Sequence, residues 1–236
     1  MSALNNIELY TQEDICSIKQ LNSNKITVCL LNNDKCDEIL AKSDEILSRT
    51  EKLYVQRFVR SIDKIRSSLP RLALHYIISN CFGIPQSEIS VQKRKSGQPY
   101  IEFLPEIKIS ISHSGRFSVV AISTNRKVGI DIEKVKPVPE YLMIAERFFC
   151  KEEFKIIKEA NDSYIFYQYW TAKEAFVKAI GEGLRRSFDS FYVDCKNMTI
   201  YDKKASKSFW HLNQIEISDP YVISCIFSDS EEEVNR

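Results

Sequence analysis

The sequence predicts an α+β fold built from two similar halves. In each half a long helical segment ends at a glycine and leads into strands: residues 71–81 stop before Gly83, and residues 164–180 stop before Gly181. Glycine favours these positions because it adopts the left-handed conformation that ends helices. A chain of 236 residues is long enough to bury a sizeable core in one large domain or in two small ones.

The first half begins with a charged segment that predicts a helix over residues 34–58. In the helix that follows, Pro70 suits the first turn, because proline lacks an amide hydrogen and fits helix starts better than interiors. Alternating apolar and polar residues then predict three strands. These strands lie near residues 88–92, 107–112 and 117–123.

The second half opens with a predicted strand over residues 128–133. Predicted helices follow near residues 140–149, 151–160 and 164–180. Predicted strands close the half near residues 190–193, 209–217 and 221–227. We therefore divide the chain into an N-terminal α+β subdomain (1–123), a C-terminal α+β subdomain with the metal site (124–227) and an acidic tail (228–236) that we expect to be disordered.

Composition indicates a cytoplasmic protein. The net charge of +1 gives no excess of positive charge that would attract nucleic acid. No segment has the apolar length that crosses a membrane, and residues 1–12 lack the basic and apolar pattern of a signal peptide. Seven cysteines without a C-x-x-C pair argue against a disulfide framework or a zinc site.

The first candidate site lies in the predicted strand at 128–133. Asp131 and Glu133 stand two residues apart, so their side chains project from one strand face while Ile130 and Ile132 pack on the other. Two adjacent carboxylates repel each other, and a hard cation such as Mg²⁺, which takes carboxylate, water and phosphate oxygens, makes the pair favourable. Taken alone, the motif is more often a solvated strand face.

The second candidate site lies on the predicted helix at 164–180. Trp170, Glu174 and Lys178 follow at four-residue intervals and therefore share one helix face. A third carboxylate and an amine can join the strand pair in a site for metal and phosphate. The alternative is a surface ion pair between Glu174 and Lys178, worth roughly 0.3–0.5 kcal/mol.

A third segment, residues 108–116, ends a predicted strand in small polar residues. Ser112, His113 and Ser114 precede Gly115. Hydroxyls, an imidazole and backbone amides at such a turn suit a phosphate group. The alternative is a hairpin in which the serines and the glycine serve only the turn.

These segments resemble the Sfp-type 4'-phosphopantetheinyl transferases. Five motifs of that family occur in the family's order and at matching intervals. They are ISHS at 111–114, GIDIE at 129–133, ERFFCKEE at 146–153, WTAKEA at 170–175 and IGEGL at 180–184. The close resemblance covers about residues 96–193 and extends loosely back to about Phe58; each motif alone is weak, but the ordered set is highly specific.

The resemblance implies both a fold and a reaction. The fold has two similar α+β subdomains related by a pseudo-twofold axis, with coenzyme A and a metal ion in the cleft between them. The reaction transfers 4'-phosphopantetheine from coenzyme A to a serine of an apo acyl, peptidyl or polyketide-type carrier protein and releases 3',5'-ADP. The serine hydroxyl attacks the β-phosphate while charge builds on the leaving α-phosphate, so positioning and charge neutralisation dominate.

The resemblance also implies roles for individual residues. Asp131, Glu133 and Glu174 bind Mg²⁺, and Glu174 is the candidate general base, directly or through a metal-bound water. Lys178 stabilises or protonates the leaving phosphate. The residues implied to bind coenzyme A are Arg66, Gln98, Ser112, His113, Lys173 and Lys178. The sequence leaves open whether Glu174 is base, metal ligand or both, and whether the metal is Mg²⁺ or Mn²⁺.

The chain departs from the family pattern around the nucleotide. Gln98 stands where the family has the lysine of a G-K-P run, a loss of charge that we expect to weaken phosphate binding by about 1–2 kcal/mol unless Lys93 or Lys95 compensates. After Arg66, the residues SLP at 68–70 replace the family's L-L-G.

Two other functions stay open beside the transferase. One is a coenzyme A or carrier-protein binding module without turnover, and the other is a metal-dependent phosphohydrolase. For the transferase, we expect the carrier protein to dock near Phe148 and Phe149. Relatives with both halves in one chain tend to be monomers, so we expect a monomer.

Overall fold

The computed structural model describes residues 6–202 and 209–229, with the exception of the side chain of Leu184. The chain forms two compact units, one from Asn6–Asn125 and one that begins at Arg126. Apart from Ser228 and Asp229, the predicted acidic tail lies outside the described residues. In the described part of the chain, no helix is both long enough and apolar enough to cross a membrane.

The first unit contains one sheet, one separate hairpin and four α-helices in its described residues. Its strands are β1 (Ile7–Thr11), β2 (Ile26–Asn32), β3 (Val91–Lys93), β4 (Pro99–Ile101), β5 (Lys108–Ser114) and β6 (Phe117–Ser123). Its helices are α1 (Asp37–Leu40), α2 (Ser43–Ile46), α3 (Arg49–Gln56) and α4 (Ser61–Phe82). The sheet has the order β1-β2-β6-β5, with β1 parallel to β2 and the other pairs antiparallel, while β3 and β4 pair with each other.

Helix α4 forms the centre of the first core. It ends at Gly83, whose φ is 69°, as predicted. The predicted start at Pro70 is wrong, because α4 begins at Ser61 and Pro70 lies inside it. A proline in a helix interior costs about 3 kcal/mol. The complete burial of Leu69, Leu72 and neighbouring apolar residues offsets this cost.

The predicted helix over residues 34–58 is also wrong, because three short helices occupy this segment. Ser48 interrupts it by adopting an extended conformation, and its side chain caps α3. Glu51 completes the cap by accepting a hydrogen bond from the Ser48 backbone at 2.9 Å.

The second unit contains one antiparallel sheet and three α-helices in its described residues. Its strands are β7 (Val128–Lys134), β8 (Phe191–Asp194), β9 (Thr199–Asp202), β10 (Trp210–Ile215) and β11 (Tyr221–Ser228). Its helices are α5 (Tyr141–Phe148), α6 (Lys151–Ala160) and α7 (Ser163–Ile180). The sheet order is β7-β11-β10-β9-β8.

Helix α7 packs against β7 and β11 and carries much of the second core. Its first turn is capped by the Asp162 side chain, which accepts a hydrogen bond from the backbone of Tyr164 at 2.8 Å. It ends at Gly181, whose φ is 72°, as predicted. The mixture of helices and antiparallel strands in both units confirms the predicted α+β class.

Gly129 lets the backbone of β7 lie directly against the backbone of α7. A Cβ atom at this position would stand 1.9 Å from the carbonyl oxygen of Ala175 and 2.6 Å from the amide nitrogen of Ala179. Only glycine therefore fits. Because alternate strand residues share a face, Asp131 and Glu133 project from the same face of β7 as Gly129, the face toward α7.

We expect Gly129→Ala to destabilise the protein by about 3 kcal/mol or more, because the added methyl group meets backbone atoms that cannot rotate away. Urea unfolding measures the loss. Gly83→Ala is the matched control, since the space around Gly83 is open and only its positive φ is strained. The control should lose roughly 1–2 kcal/mol; equal losses in the two variants would contradict the packing argument.

Candidate active site

An ion pair joins α7 to β7 at the centre of the candidate site. Lys178 Nζ lies 2.6 Å from Asp131 Oδ1 and also donates to the backbone oxygen of Ile130 at 3.2 Å. The Asp131 side chain is 6% exposed and that of Lys178 is 28% exposed. The pair is thus held at the edge of the core, where its attraction is weakly screened.

Glu174 lies one turn before Lys178 on the same face of α7. Burial raises the pKa of the Glu174 carboxyl group, the negative charges of Asp131 and Glu133 raise it further, and the charge of Lys178 lowers it. Such effects require short separations. The structure therefore brings Asp131, Glu133, Glu174 and Lys178 into one electrostatic cluster.

The chemistry of this cluster fits a divalent cation. Three carboxylates supply the hard oxygen ligands that Mg²⁺ takes. Burial is the main cause of the raised pKa of Glu174, and the negative charges of Asp131 and Glu133, which raise it further, are charges that a cation would offset. Within residues 6–202 and 209–229, no group of three Asp, Glu, His or Cys side chains is placed to hold a metal ion together. The donor types fit Mg²⁺, and their gathering around one ion stays a prediction.

Lys173 lies on a different face of α7 from Glu174 and Lys178, inside the core. Its amine is 2.8 Å from Glu153, and both side chains have no exposed surface. It also donates to the backbone oxygens of Phe188 and Phe191, at 2.7 and 3.1 Å. These contacts account for the three hydrogens of the ammonium group. The structure gives Lys173 a role in the core, whereas its predicted contact with coenzyme A stays untested.

Glu153 had no predicted role, although it joins α6 to α7 and β8 in the core. Besides pairing with Lys173, it accepts hydrogen bonds from the backbone of Cys150 at 3.1 Å and of Val193 at 2.7 Å. A capping box is the signal that identifies such a residue in a sequence. Cysteine in place of the usual serine or threonine at position 150 hides that signal.

The first unit repeats this arrangement around Glu51. Glu51 completes the capping box of α3, accepts a hydrogen bond from the backbone of Val91 at 3.2 Å and lies 3.1 Å from Nε2 of His75. The interval from the glutamate to the strand residue is 40 positions in both units. Each unit therefore joins a capped helix, a strand and its long helix through one buried glutamate.

A pocket of about 410 Å³ opens beside Glu174. Trp170, Phe148 and Phe188 supply its apolar walls, and Arg185 and Arg186 lie at its polar side. Trp170 packs within 5.6–6.4 Å, ring to ring, of three phenylalanines of the core: Phe149, Phe166 and Phe188. The pocket therefore has closely packed aromatic walls and the Glu174 carboxylate at one side.

The first unit brings Arg66 next to the polar turn after β5. Arg66 donates to the backbone oxygen of Gly115 at 2.5 Å, and its guanidinium group lies 3.6 Å from Asp63. The hydrogen bond from the Arg60 side chain is the main cause of the lowered pKa of Asp63, and the charge of His113 lowers that pKa further. Arg66 and His113 are thus neighbours in the structure.

The two other predicted nucleotide ligands lie in a strand and in a turn of the first unit. Ser112 is 8% exposed in β5. Gln98 occupies the turn between β3 and β4, where its backbone oxygen accepts from the Arg94 amide at 2.9 Å. Their predicted contacts with coenzyme A stay predictions.

Comparisons with known proteins identify the family. The sequence model described as the 4'-phosphopantetheinyl transferase superfamily matches residues 127–226, and the model described as 4'-phosphopantetheinyl transferase, N-terminal, matches residues 36–125. The two matches meet where the structure divides into its two units.

Individual relatives agree with the family match. The 4'-phosphopantetheinyl transferase gsp of Aneurinibacillus migulanus is 34% identical over 75% of this chain and 76% of its own length. The 4'-phosphopantetheinyl transferase Sfp of Bacillus subtilis is 37% identical over 58% of this chain and 62% of its own length. The L-aminoadipate-semialdehyde dehydrogenase-phosphopantetheinyl transferase of Mus musculus is 28% identical over 78% of this chain and 59% of its own length.

The chain belongs to the 4'-phosphopantetheinyl transferase superfamily, as its motifs predict, and it is a transferase of that class.

A solved holo-(acyl-carrier-protein) synthase from Bacillus anthracis in complex with CoA aligns with 41% of this chain at 20% identity and a TM-score of 0.31. That similarity is too low to assign any residue.

We expect Lys173→Met to destabilise the protein by about 3–5 kcal/mol, because it leaves the Glu153 carboxylate buried without its cation. The double variant Glu153→Gln/Lys173→Met removes the stranded charge and should recover part of the loss in urea unfolding. If the double variant folds and binds coenzyme A as the wild type does, Lys173 belongs to the core alone. A weakened affinity of the folded double variant would support the predicted contact with coenzyme A.

Proposed function

We propose that this chain transfers 4'-phosphopantetheine from coenzyme A to a serine of an apo carrier protein and releases 3',5'-ADP, with the cluster on β7 and α7 as the reacting site. The electrostatic coupling of Glu174 to Asp131 and Glu133 beside an open pocket carries the proposal. Membership of the transferase superfamily sets the reaction class. We propose a cytoplasmic monomer as the working form.

Glu174 acts as the general base toward the acceptor serine in this proposal. A serine hydroxyl is a weak nucleophile until a base removes its proton. Burial and the neighbouring carboxylates raise the pKa of Glu174, which makes its carboxylate a stronger proton acceptor than an exposed glutamate. Its position on the pocket wall makes the carboxylate accessible to an acceptor.

Lys178 acts on the leaving group. It lies one helical turn from Glu174, and its amine is partly exposed. A cation there can stabilise charge that builds on the leaving phosphate, or donate a proton to it. Its bond to Asp131 fixes the direction of the side chain before the substrate arrives.

Asp131, Glu133 and Glu174 are the residues that would hold Mg²⁺. When bound, the ion would neutralise charge on the pyrophosphate oxygens and orient the diphosphate for attack. Arg66, Gln98, Ser112 and His113 would bind the nucleotide phosphates of coenzyme A.

The aromatic pocket beside Glu174 is the proposed docking surface for the acceptor. Phe148 is 45% exposed and lines this pocket. Phe149 is 5% exposed and stacks on Phe166 at 5.8 Å between ring centroids, so Phe148 is the side chain of this pair that is open to a carrier protein. Docking near residues 148 and 149 stays a prediction. Adjacent helix and cap positions turn these two side chains in different directions.

A direct test incubates the protein with coenzyme A, Mg²⁺ and an apo carrier protein, and measures the carrier mass and 3',5'-ADP. We expect Glu174→Gln to lower the transfer rate at least about 100-fold, because it removes the base without changing the size of the side chain. Its melting temperature without divalent ions should rise by roughly 2 °C, because repulsion among the carboxylates falls.

The outcomes of that test separate the alternatives. Transfer at the wild-type rate by Glu174→Gln would contradict the assigned base. Breakdown of coenzyme A without a modified carrier would indicate a phosphohydrolase. Binding of coenzyme A without either product, for every carrier tried, would indicate a binding module.

A second prediction concerns the acceptor. We expect Phe148→Ser to raise the KM for the carrier protein roughly fivefold, because it removes an exposed aromatic contact, and to leave the KM for coenzyme A unchanged. Phe103→Ser is the matched control, since Phe103 is 71% exposed in the first unit. An unchanged KM for the carrier protein in Phe148→Ser would show that the pocket is not part of the docking surface.

A further inference from the structure

A row of polar side chains crosses the sheet of the second unit beneath α7. Its members are Gln214 on β10, Ser224 on β11 and Asp131 on β7. Gln214 pairs directly with Ser224 in the sheet, and Ser224 pairs directly with Asp131. Because directly paired residues of antiparallel strands project from the same face, the row faces one side of the sheet, the side that α7 covers.

Each member of the row contacts a different position of α7. The side-chain amide of Gln168 donates to Gln214 at 3.0 Å, and that of Gln214 donates to the backbone oxygen of Gln168 at 3.2 Å. The hydroxyl groups of Thr171 and Ser224 are 2.8 Å apart. The ion pair between α7 and β7 described above lies at the other end of the row. The helix therefore has a directed polar contact with each of the three strands.

The hydroxyl pair is the most deeply buried of these contacts. Neither Thr171 nor Ser224 has exposed surface. The Thr171 hydroxyl donates to the backbone oxygen of Tyr167 at 2.9 Å, and with its single hydrogen in that bond it accepts the hydrogen of Ser224. A buried hydroxyl group without a partner is costly, so the bond between the two side chains resists separation.

The hydroxyl pair adjoins the proposed reacting cluster on both elements. On the sheet, Ser224 is the direct neighbour of Asp131. On the helix, Thr171 precedes Glu174 by three residues and Lys178 by seven. These intervals place the three side chains along one side of an α-helix. A movement of α7 at the hydroxyl pair is therefore passed on to the cluster.

We infer that Thr171 and Ser224 are positioning residues, whose hydrogen bond fixes the rotation and the axial position of α7 over the sheet. Apolar contacts are non-directional and tolerate a small turn or slide of the helix. A hydrogen bond weakens when its length or angle changes. A turn or slide would displace both Glu174 and Lys178 from Asp131. The effect on transfer rests on the proposed function, whereas the placement of Lys178 beside Asp131 is measurable without it.

The test uses Thr171→Val, because valine keeps the shape of threonine and lacks the hydroxyl group. Thr171→Ser keeps the hydroxyl group and serves as the rescue. Ile157→Val is the matched control, since Ile157 is fully buried in the same core on α6, away from the hydroxyl pair. Urea unfolding checks that every variant is folded in the assay. If Thr171→Val does not fold, Thr171→Val/Ser224→Ala, which strands no hydroxyl group, takes its place in both measurements.

The first measurement is the steady-state kinetics of transfer to an apo carrier protein. We expect Thr171→Val to lower kcat about tenfold, because small displacements of reacting groups are costly. The KM for the carrier protein should stay unchanged, since the proposed docking contact of Phe148 lies on α5. Thr171→Ser and Ile157→Val should keep the kcat of the wild type. An unchanged kcat in Thr171→Val, or an equal loss in Ile157→Val, would overturn a positioning role in transfer.

The second measurement follows the Lys178 ammonium group by ¹⁵N NMR, without substrate or divalent ions. Its hydrogens exchange slowly with water while they are bonded to Asp131 and to the backbone oxygen of Ile130. We expect about fivefold faster exchange in Thr171→Val and the wild-type rate in Thr171→Ser and Ile157→Val. The wild-type rate in Thr171→Val would contradict the inference. This readout needs no transfer, so a wild type that modifies no carrier would count against the proposed function alone.

Discussion

The contact between the backbones of β7 and α7 at Gly129 sets the geometry of the candidate site. Because glycine has no Cβ atom, the strand can approach Ala175 and Ala179 to a distance that any other residue would block. Asp131 and Glu133 follow on the same strand face, and Glu174 and Lys178 extend from the facing helix. A wider spacing would separate Lys178 from Asp131, which are now 2.6 Å apart. The placement of the proposed reacting groups thus depends on Gly129, a residue without a reactive side chain.

Local periodicity predicted much of this site, because its residues lie on regular elements. The two-residue interval between Asp131 and Glu133 placed both on one face of a strand. The four-residue interval between Glu174 and Lys178 placed both on one face of a helix. The surroundings of Lys173 were not predictable in this way, since its partner Glu153 lies on another helix. For the same reason, Pro70 misled the prediction of α4: only tertiary burial explains a proline inside that helix. Strands β1, β2, β4 and β9 were not predicted, because none of them has a long pattern of alternating apolar and polar residues.

A buried glutamate holds each unit together in the same manner, but the side chain that it meets on the long helix differs. Glu153 faces a lysine without exposed surface, whereas Glu51 faces His75, whose side chain is equally buried. In both cases one carboxylate satisfies a helix start, a strand amide and a side chain of the long helix. Such a fully bonded polar group fixes the relative positions of three elements inside one unit. The repeat supports an origin of the two units from one ancestral α+β arrangement.

The two tryptophans of the chain occupy contrasting surroundings. Trp170 lies half-buried on the wall of the pocket beside Glu174, whereas Trp210 is 1% exposed in the core of the second unit. Indole emission shifts with the polarity around the ring, so only Trp170 can respond when a molecule enters that pocket. The emission of Trp170 therefore reports occupancy of the pocket without an added label, while Trp210 contributes a constant background.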